Sequence, residues 1–362
     1  MSKQIVYYIT GHGFGHARRS AAVIRRLVAE DADVVVQIRT SAPRHIFDDT
    51  IGPRVEHHPV AIDPGAVEKD ALRINPAGTI RAVRECLRNK ASIIRSELKS
   101  LPHNVRLIVA DAPFFAGDIA EAAGLPSIIV SNFTWDWIYE PLLENERDGG
   151  DIMAEIQASY SKIPVMIKLP FGQRSDMFRE VIPSPVVANG PRFTRQQVRE
   201  KLNLNGGDAR PLALIGHRGG FAPEVLDRAV RSAPDFRFLY THPLPSTHAD
   251  NLIPVHLNGE LFFGDLLCAS DAVISKLGHA TACDCIGAGV PILWPPRSGF
   301  REDELIQREA GPYLRMRRIE VDDFEQGNWS EGLRDLLRLA SPQPTRTDGD
   351  AVCARELARR LR

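Results

Sequence analysis

The sequence predicts an α/β protein of two domains, each built on a parallel sheet covered on both faces. Three observations carry this. The chain has 362 residues, which at about 150 residues per domain is room for two. Short, near-continuous apolar runs alternate with helical patterns, the signature of strands buried on both sides. The alternation then stops at a proline-rich seam and begins again.

In the first half the β-branched and aromatic runs Gln4–Thr10, Val34–Arg39, Val55–Pro59, Leu107–Ala110 and Ser127–Val130 predict strands. Helical patterns lie between them at Ala17–Glu30, Pro76–Ser100 and Gly117–Ala123, and Trp135–Tyr160 reads as helical but interrupted at Asp148–Gly150. The seam is Pro183–Pro191, where three prolines and a glycine stop any helix or central strand. Strands then resume at Leu212–Gly216, Phe236–Thr241, Ile253–Val255, Ala272–Ser275 and Pro291–Trp294, with an amphipathic helix at Asp350–Arg362. The expected division is a first domain over residues 1–183, a second over 192–345, and a C-terminal helical piece over 346–362 that packs back on the first.

Composition narrows the function. Forty-five Lys and Arg against forty-six Asp and Glu leave a net charge of −1, which argues against a nucleic-acid binder with its basic excess. Five cysteines are an odd number for a disulfide framework and suit a reducing compartment. The start, MSKQIVYYIT, runs directly into a strand without a signal-like apolar region. No uninterrupted apolar run approaches the about 18 residues a membrane span needs, so a cytoplasmic location is expected. Arg81, Arg84, Arg88, Lys90, Arg95 and Lys99 form a basic helix face, partly balanced by Glu85 and Glu97. Such a face is usually solvated, and peripheral contact with acidic lipid is its alternative use.

In an open parallel sheet, ligands gather beyond the carboxyl ends of the strands. The first such loop is Gly11-His12-Gly13-Phe14-Gly15-His16, which lacks dinucleotide-type glycine spacing. An imidazole there can take a proton from a substrate hydroxyl near neutral pH, or can simply hydrogen-bond within the turn. Asp111, at the end of a neighbouring strand, can orient His16 or cap the helix that follows Pro113. In the second half, Gly216-His217-Arg218-Gly219-Gly220 is a second glycine-rich turn, suited to cradling a diphosphate. In the third loop, Lys276, Gly278, His279 and Thr281 open a helix whose Asp284 can accept from ribose hydroxyls. Glu302 and Asp303, after Arg297, stand where sugar hydroxyls would lie. Ser131–Tyr139 and Phe114–Phe115 offer aromatic walls, or aromatics that complete the core.

Taken together, these motifs resemble the GT-B glycosyltransferases. SKLGHATACDCIGAGVPILW resembles their donor-site signature, a glycine-and-threonine loop, an acidic residue and then G-x-P. GHGFGHA and SNFTWDWIY are similar to the glycosyltransferase-like domain of plant-type arabinokinases, in which a GHMP kinase domain follows; here the chain ends at Arg362. More distantly, the chain resembles the cell-wall N-acetylglucosaminyltransferase and natural-product glycosyltransferases. The resemblance implies two Rossmann-like domains whose parallel sheets face each other across a cleft. It further implies an inverting transferase that takes a nucleotide-diphospho-sugar, UDP-linked, as substrate and transfers the sugar to a hydroxyl of a small-molecule acceptor, with no cofactor and no metal. His16 matches the base of such enzymes, and Asp111 the aspartate that orients it. Asp284 stands in place of a ribose-binding glutamate, and Lys276 in place of a histidine of the plant enzymes.

On that basis the donor residues are Gly216, His217, Arg218, Gly219, Lys276, Gly278, His279, Thr281, Asp284, Glu302 and Asp303. The acceptor residues are His12, Gly13, Phe14, Phe114, Trp135 and Trp137. Cys283 and Cys285 point about 200° apart on a helix and read as buried thiols rather than metal ligands. Two other functions fit the same architecture: a nucleotide-sugar 2-epimerase, which would act on donor alone, and a non-catalytic nucleotide-sugar-binding protein.

Overall fold

The computed structural model describes residues 3–173, 176–204, 206–244, 249–257 and 260–361. The first domain runs β1 (Lys3–Ile9), α1 (Gly15–Glu30), β2 (Val34–Thr40), β3 (Val55–Pro59), a small hairpin β4 (Glu68–Asp70) and β5 (Arg73–Ile74), α2 (Pro76–Arg88), α3 (Lys90–Ser100) and β6 (Val105–Asp111). It continues with α4 (Phe115–Ala123), β7 (Ser127–Ser131), α5 (Trp135–Leu143), α6 (Gly149–Tyr160), β8 (Val165–Lys168) and β9 (Glu180–Pro183). Seven strands form one sheet in the order β3-β2-β1-β6-β7-β8-β9, every pairing parallel.

The second domain runs α7 (Arg195–Lys201), β10 (Leu212–Ile215), α8 (Pro223–Arg231), β11 (Arg237–Tyr240), β12 (Leu252–Pro254), α9 (Phe263–Ala269), β13 (Ala272–Ile274), α10 (His279–Ala288), β14 (Ile292–Trp294), α11 (Glu302–Ala310), β15 (Met316–Arg318), α12 (Val321–Gln326) and α13 (Ser330–Arg338). Its sheet is also wholly parallel, in the order β12-β11-β10-β13-β14-β15.

Both sheets are buried on two faces because their strands are apolar at successive positions. In β1, Ile5, Tyr7 and Ile9 join the core under α1, while Val6 and Tyr8 join the core on the opposite face. The final helix, α14 (Gly349–Arg359), lays Cys353, Ala354 and Leu357 into the first of these cores. It packs against α1, so the end of the chain returns to the domain where it began. Arg362, the expected last residue of this helix, lies outside the described residues.

Several local expectations need correction. The single helix expected over 76–100 is two helices that meet at Asn89, with φ −90° and ψ −1°. Glu97 does not balance a solvated basic face. It is buried, accepting from Tyr8 Oη at 2.8 Å and from Arg39 Nη1 at 2.6 Å. Arg84 and Lys90 also leave that face, pairing with Glu146 and Asp148 and with Asp118 respectively. Strands β9 and β15 escaped the sequence pattern because both are edge strands with exposed residues, where no continuous apolar run is required. Among the described residues no helix is long and apolar enough to cross a membrane.

Candidate functional site

Strand order reverses between β1 and β6 in the first sheet and between β10 and β13 in the second. At such a reversal the loops on either side diverge and leave a crevice at the carboxyl ends of the strands. Here the two crevices face each other and enclose one cavity of about 220 Å³. Its first-domain wall carries His12, Gly13, Phe14, His16 and Trp135, and its second-domain wall Gly216, Arg218, Lys276, Gly278, His279, Thr281, Asp284 and Glu302.

Two helices point their amino termini into this cavity. The residues preceding α1 and α10, Phe14 and Gly278, provide no side-chain cap, so the first-turn N–H groups keep a positive end directed at the cleft. The two ends meet closely: a Cβ placed on Gly15 would lie 3.2 Å from Ala280 Cβ. A side chain at residue 15 would crowd this approach.

His16, in the first turn of α1, is buried. Its Nδ1 lies 2.8 Å from Asp111 Oδ1 at the end of β6. Asp111 does not cap α4, whose preceding residue is Phe114 with no side-chain cap. It accepts instead from His16, from Ser20 Oγ at 2.8 Å, and from both arms of Arg19, the Nε at 2.8 Å. Burial alone would raise this carboxyl, but Arg19 and His16 together hold it well below the usual carboxylate range. For His16, burial and then Arg19 lower its proton affinity against the pull of Asp111. The turn behind Asp111 is strained: Ala112 has φ 77°, and its carbonyl accepts from Tyr160 Oη at 2.5 Å.

One wall of the cavity is aromatic. Trp135 stacks on Tyr139 at 5.2 Å and donates its Nε1–H to Asp63 Oδ2 at 2.5 Å. Burial pushes Asp63 up to about 6. His12 stands edge-on to Trp135 at 5.5 Å, and burial lowers it to about 3. Phe133, Ile138 and Phe300 complete this apolar side.

On the second-domain side, Lys276 Nζ makes no hydrogen bond among the described residues, and burial together with Arg297 lowers it to about 8. Burial would raise Glu302, but Arg297 and His279 hold it down to about 2. It accepts from Asn132 Nδ2 of the first domain at 2.8 Å. His279, lowered to about 4 by burial and then Arg19, bonds through Nε2 to the Pro170 carbonyl at 2.8 Å.

Five of the expected site residues lie elsewhere. Phe114 is wholly buried, edge-on to Phe115 at 4.6 Å, because the turn after β6 directs it beneath the sheet. Trp137 faces away under the Arg301 guanidinium at 4.8 Å, two residues along a helix from the inward Trp135. Asp303 clasps Arg297, with Nε at 2.9 Å, and so props the loop rather than lining the cavity. His217 packs on Phe221 and Phe324 behind the wall, and Gly219, at φ 99°, makes the turn there without lining the cavity. Asp284 does line the cavity, but both oxygens are engaged, by the Asn189 N–H at 2.8 Å and by Arg18 Nη2 at 3.1 Å. Arg18, Arg19, Asn132 and Asp63 are site residues that no motif in the sequence marks individually. Only Arg19 had a local signal, falling three residues after His16 and so on the same helix face. Cys283 and Cys285 are buried free thiols, and no three His, Cys, Asp or Glu among the described residues are grouped to hold a metal ion.

No family model matches the chain. It is 28% identical over 345 residues to the L-arabinokinase of Arabidopsis thaliana, covering 93% of this chain and 32% of that protein. The chain thus spans about a third of the length of the curated relative it matches. Among solved structures, the glycosyltransferase of kitacinnamycin aligns over 100% of both chains with a TM-score of 0.64 and 14% identity. The UGT2 of Phytolacca americana, complexed with UDP-2-fluoro-glucose and pterostilbene, aligns over 99% of this chain and 100% of its own, with a TM-score of 0.62 and 13% identity. These whole-chain alignments, with two parallel sheets opposed across a cleft, show that the chain has the GT-B glycosyltransferase fold.

Proposed function

We propose that this protein is an inverting, metal-independent glycosyltransferase that moves a sugar from a nucleotide-diphospho-sugar, UDP-linked, to a hydroxyl of a small-molecule acceptor. The observation that carries it is one cavity with His16 held on Asp111 at one wall and the amino terminus of α10 with an unbonded Lys276 at the other. Residues 1–183 supply the acceptor side and residues 192–345 the donor side. Asp111 accepts Nδ1–H of His16, leaving the Nε2 lone pair to take the acceptor's hydroxyl proton. The freed oxygen attacks the anomeric carbon as the bond to the diphosphate breaks on the opposite face, which inverts that centre. The diphosphate leaves with its negative charge met by Lys276, Thr281 and the first-turn N–H groups of α10. Trp135 and Phe133 supply a flat apolar wall for the acceptor. The UDP-2-fluoro-glucose and pterostilbene named for the UGT2 structure support this choice of donor and acceptor class.

Thermal melts with UDP, GDP, dTDP and ADP and their common sugars test the donor. The matching nucleotide at 100 times its Kd is expected to add about 2.7 kcal/mol. No response to any sugar nucleotide would sink the proposal. Conversion of donor without acceptor would replace it with an epimerase, and phosphorylation of a free sugar by ATP would replace it with a kinase.

A further inference from the structure

Arg19 is buried at 3% exposure, one turn beyond His16, and its guanidinium reaches three other segments as well as its own helix. Nε and Nη2 hold the two oxygens of Asp111 on β6. Nη1 donates to Asn132 Oδ1 after β7 at 2.6 Å, and Nη2 lies 3.3 Å from Ser131 Oγ. Nη1 also stands 3.3 Å from Nδ1 of His279, the first residue of α10 in the other domain. The Pro170 carbonyl can only accept, so His279 carries its proton on Nε2 and receives Arg19 at Nδ1. Finally, Arg19 Nη2 is 2.9 Å from His16 Nδ1, the same atom that faces Asp111.

A buried carboxylate facing an imidazole raises its proton affinity and favours the imidazolium, the form that cannot remove a proton. A guanidinium clasping both oxygens changes this, because it satisfies the carboxylate's charge and leaves His16 only the directional hydrogen bond. We propose that Arg19 is a positioning residue: it occupies Asp111 so that the carboxylate orients His16 without binding it as a salt bridge, and it ties this pair to the donor helix through His279. The inference rests on the glycosyl-transfer role of His16. The groups facing His16 agree with it. They are Arg19 on its own helix, His12 in the preceding loop, Asp111 on β6, His279 on α10 and Glu302 on α11, and burial and then Arg19 lower its proton affinity despite two carboxylates.

The test is an NMR titration of the His16 imidazole in the full chain, which needs neither donor nor acceptor and so fails independently of the transferase assignment. Wild-type His16 is expected to titrate below the free value of about 6.5, and in Arg19→Gln above it. In Arg19→Lys, whose single amine holds one Asp111 oxygen at a time, the proton affinity should rise about threefold or more. That variant decides the matter if Arg19→Gln does not fold. A wild-type midpoint above 6.5, or unchanged midpoints in the folded variants, would overturn the proposal and leave Arg19 a structural ion pair.

Discussion

The two walls of the cleft are built on opposite principles. On the first-domain side, His16, Asp111, Arg19, Ser20 and Asn132 are buried and held in place by hydrogen bonds to one another. On the second-domain side, Lys276 makes no hydrogen bond among the described residues and α10 begins without a side-chain cap, so donors stand open. A closed network suits a group that must hold one proton-accepting geometry. Open donors suit a ligand that brings its own charge. The difference teaches that shape and charge in this cleft are divided between domains: one preorganises, the other receives.

The strongest way to break this comparison is to remove one member from each wall. His16→Ala is expected to lower turnover by about 10²–10⁴-fold while leaving nucleotide binding intact, as read by product formation beside calorimetric titration. Equal loss of nucleotide affinity would show that the walls are not separate. Acid should affect both walls. His12 and His279 are held near 3 and 4, so the unfolded chain takes up protons below about 6.5 that the folded chain refuses. Stability is therefore full above that value and lost as pH falls, by about 2 kcal/mol for each of these histidines at pH 5. Melts between pH 7 and pH 5 measure it, and a flat profile would contradict the buried, neutral rings.

Lys276→Met should leave the fold unchanged and weaken nucleotide binding by about 10–100-fold, the loss of a charge-assisted contact. The effect should fade above about pH 8, where the wild-type lysine has itself lost its proton. The smallest effect belongs to Trp135→Phe, which keeps the aromatic wall but removes the Nε1–H donor to Asp63. It is expected to cost about 1 kcal/mol of stability, seen in denaturant midpoints, with little change in nucleotide binding.

Legibility in the sequence followed the same division. The loop residues His12, His16, Lys276 and Thr281 were visible because glycine-rich turns at strand ends have a local pattern. Asp63 had no such mark, since it comes from an irregular segment between β3 and β4 and meets a tryptophan 72 residues away. Trp135 and Trp137 looked equivalent in sequence, and helix geometry alone sends one inward and the other out under Arg301. Arg18 and Asn189 show the same limit: both oxygens of Asp284 are engaged by residues 266 and 95 positions away.

By itself, then, the sequence determined the alternation of strand and helix and the glycine-rich turns at the strand ends, because these depend on neighbours a few residues apart. Which of those side chains share one cavity, and which charges they meet there, was decided only when two parallel sheets brought their reversal points face to face. Partners such as Arg19 and His279 are 260 residues apart. No local pattern encodes such a meeting, since it exists only once burial of both sheets has fixed where each helix begins.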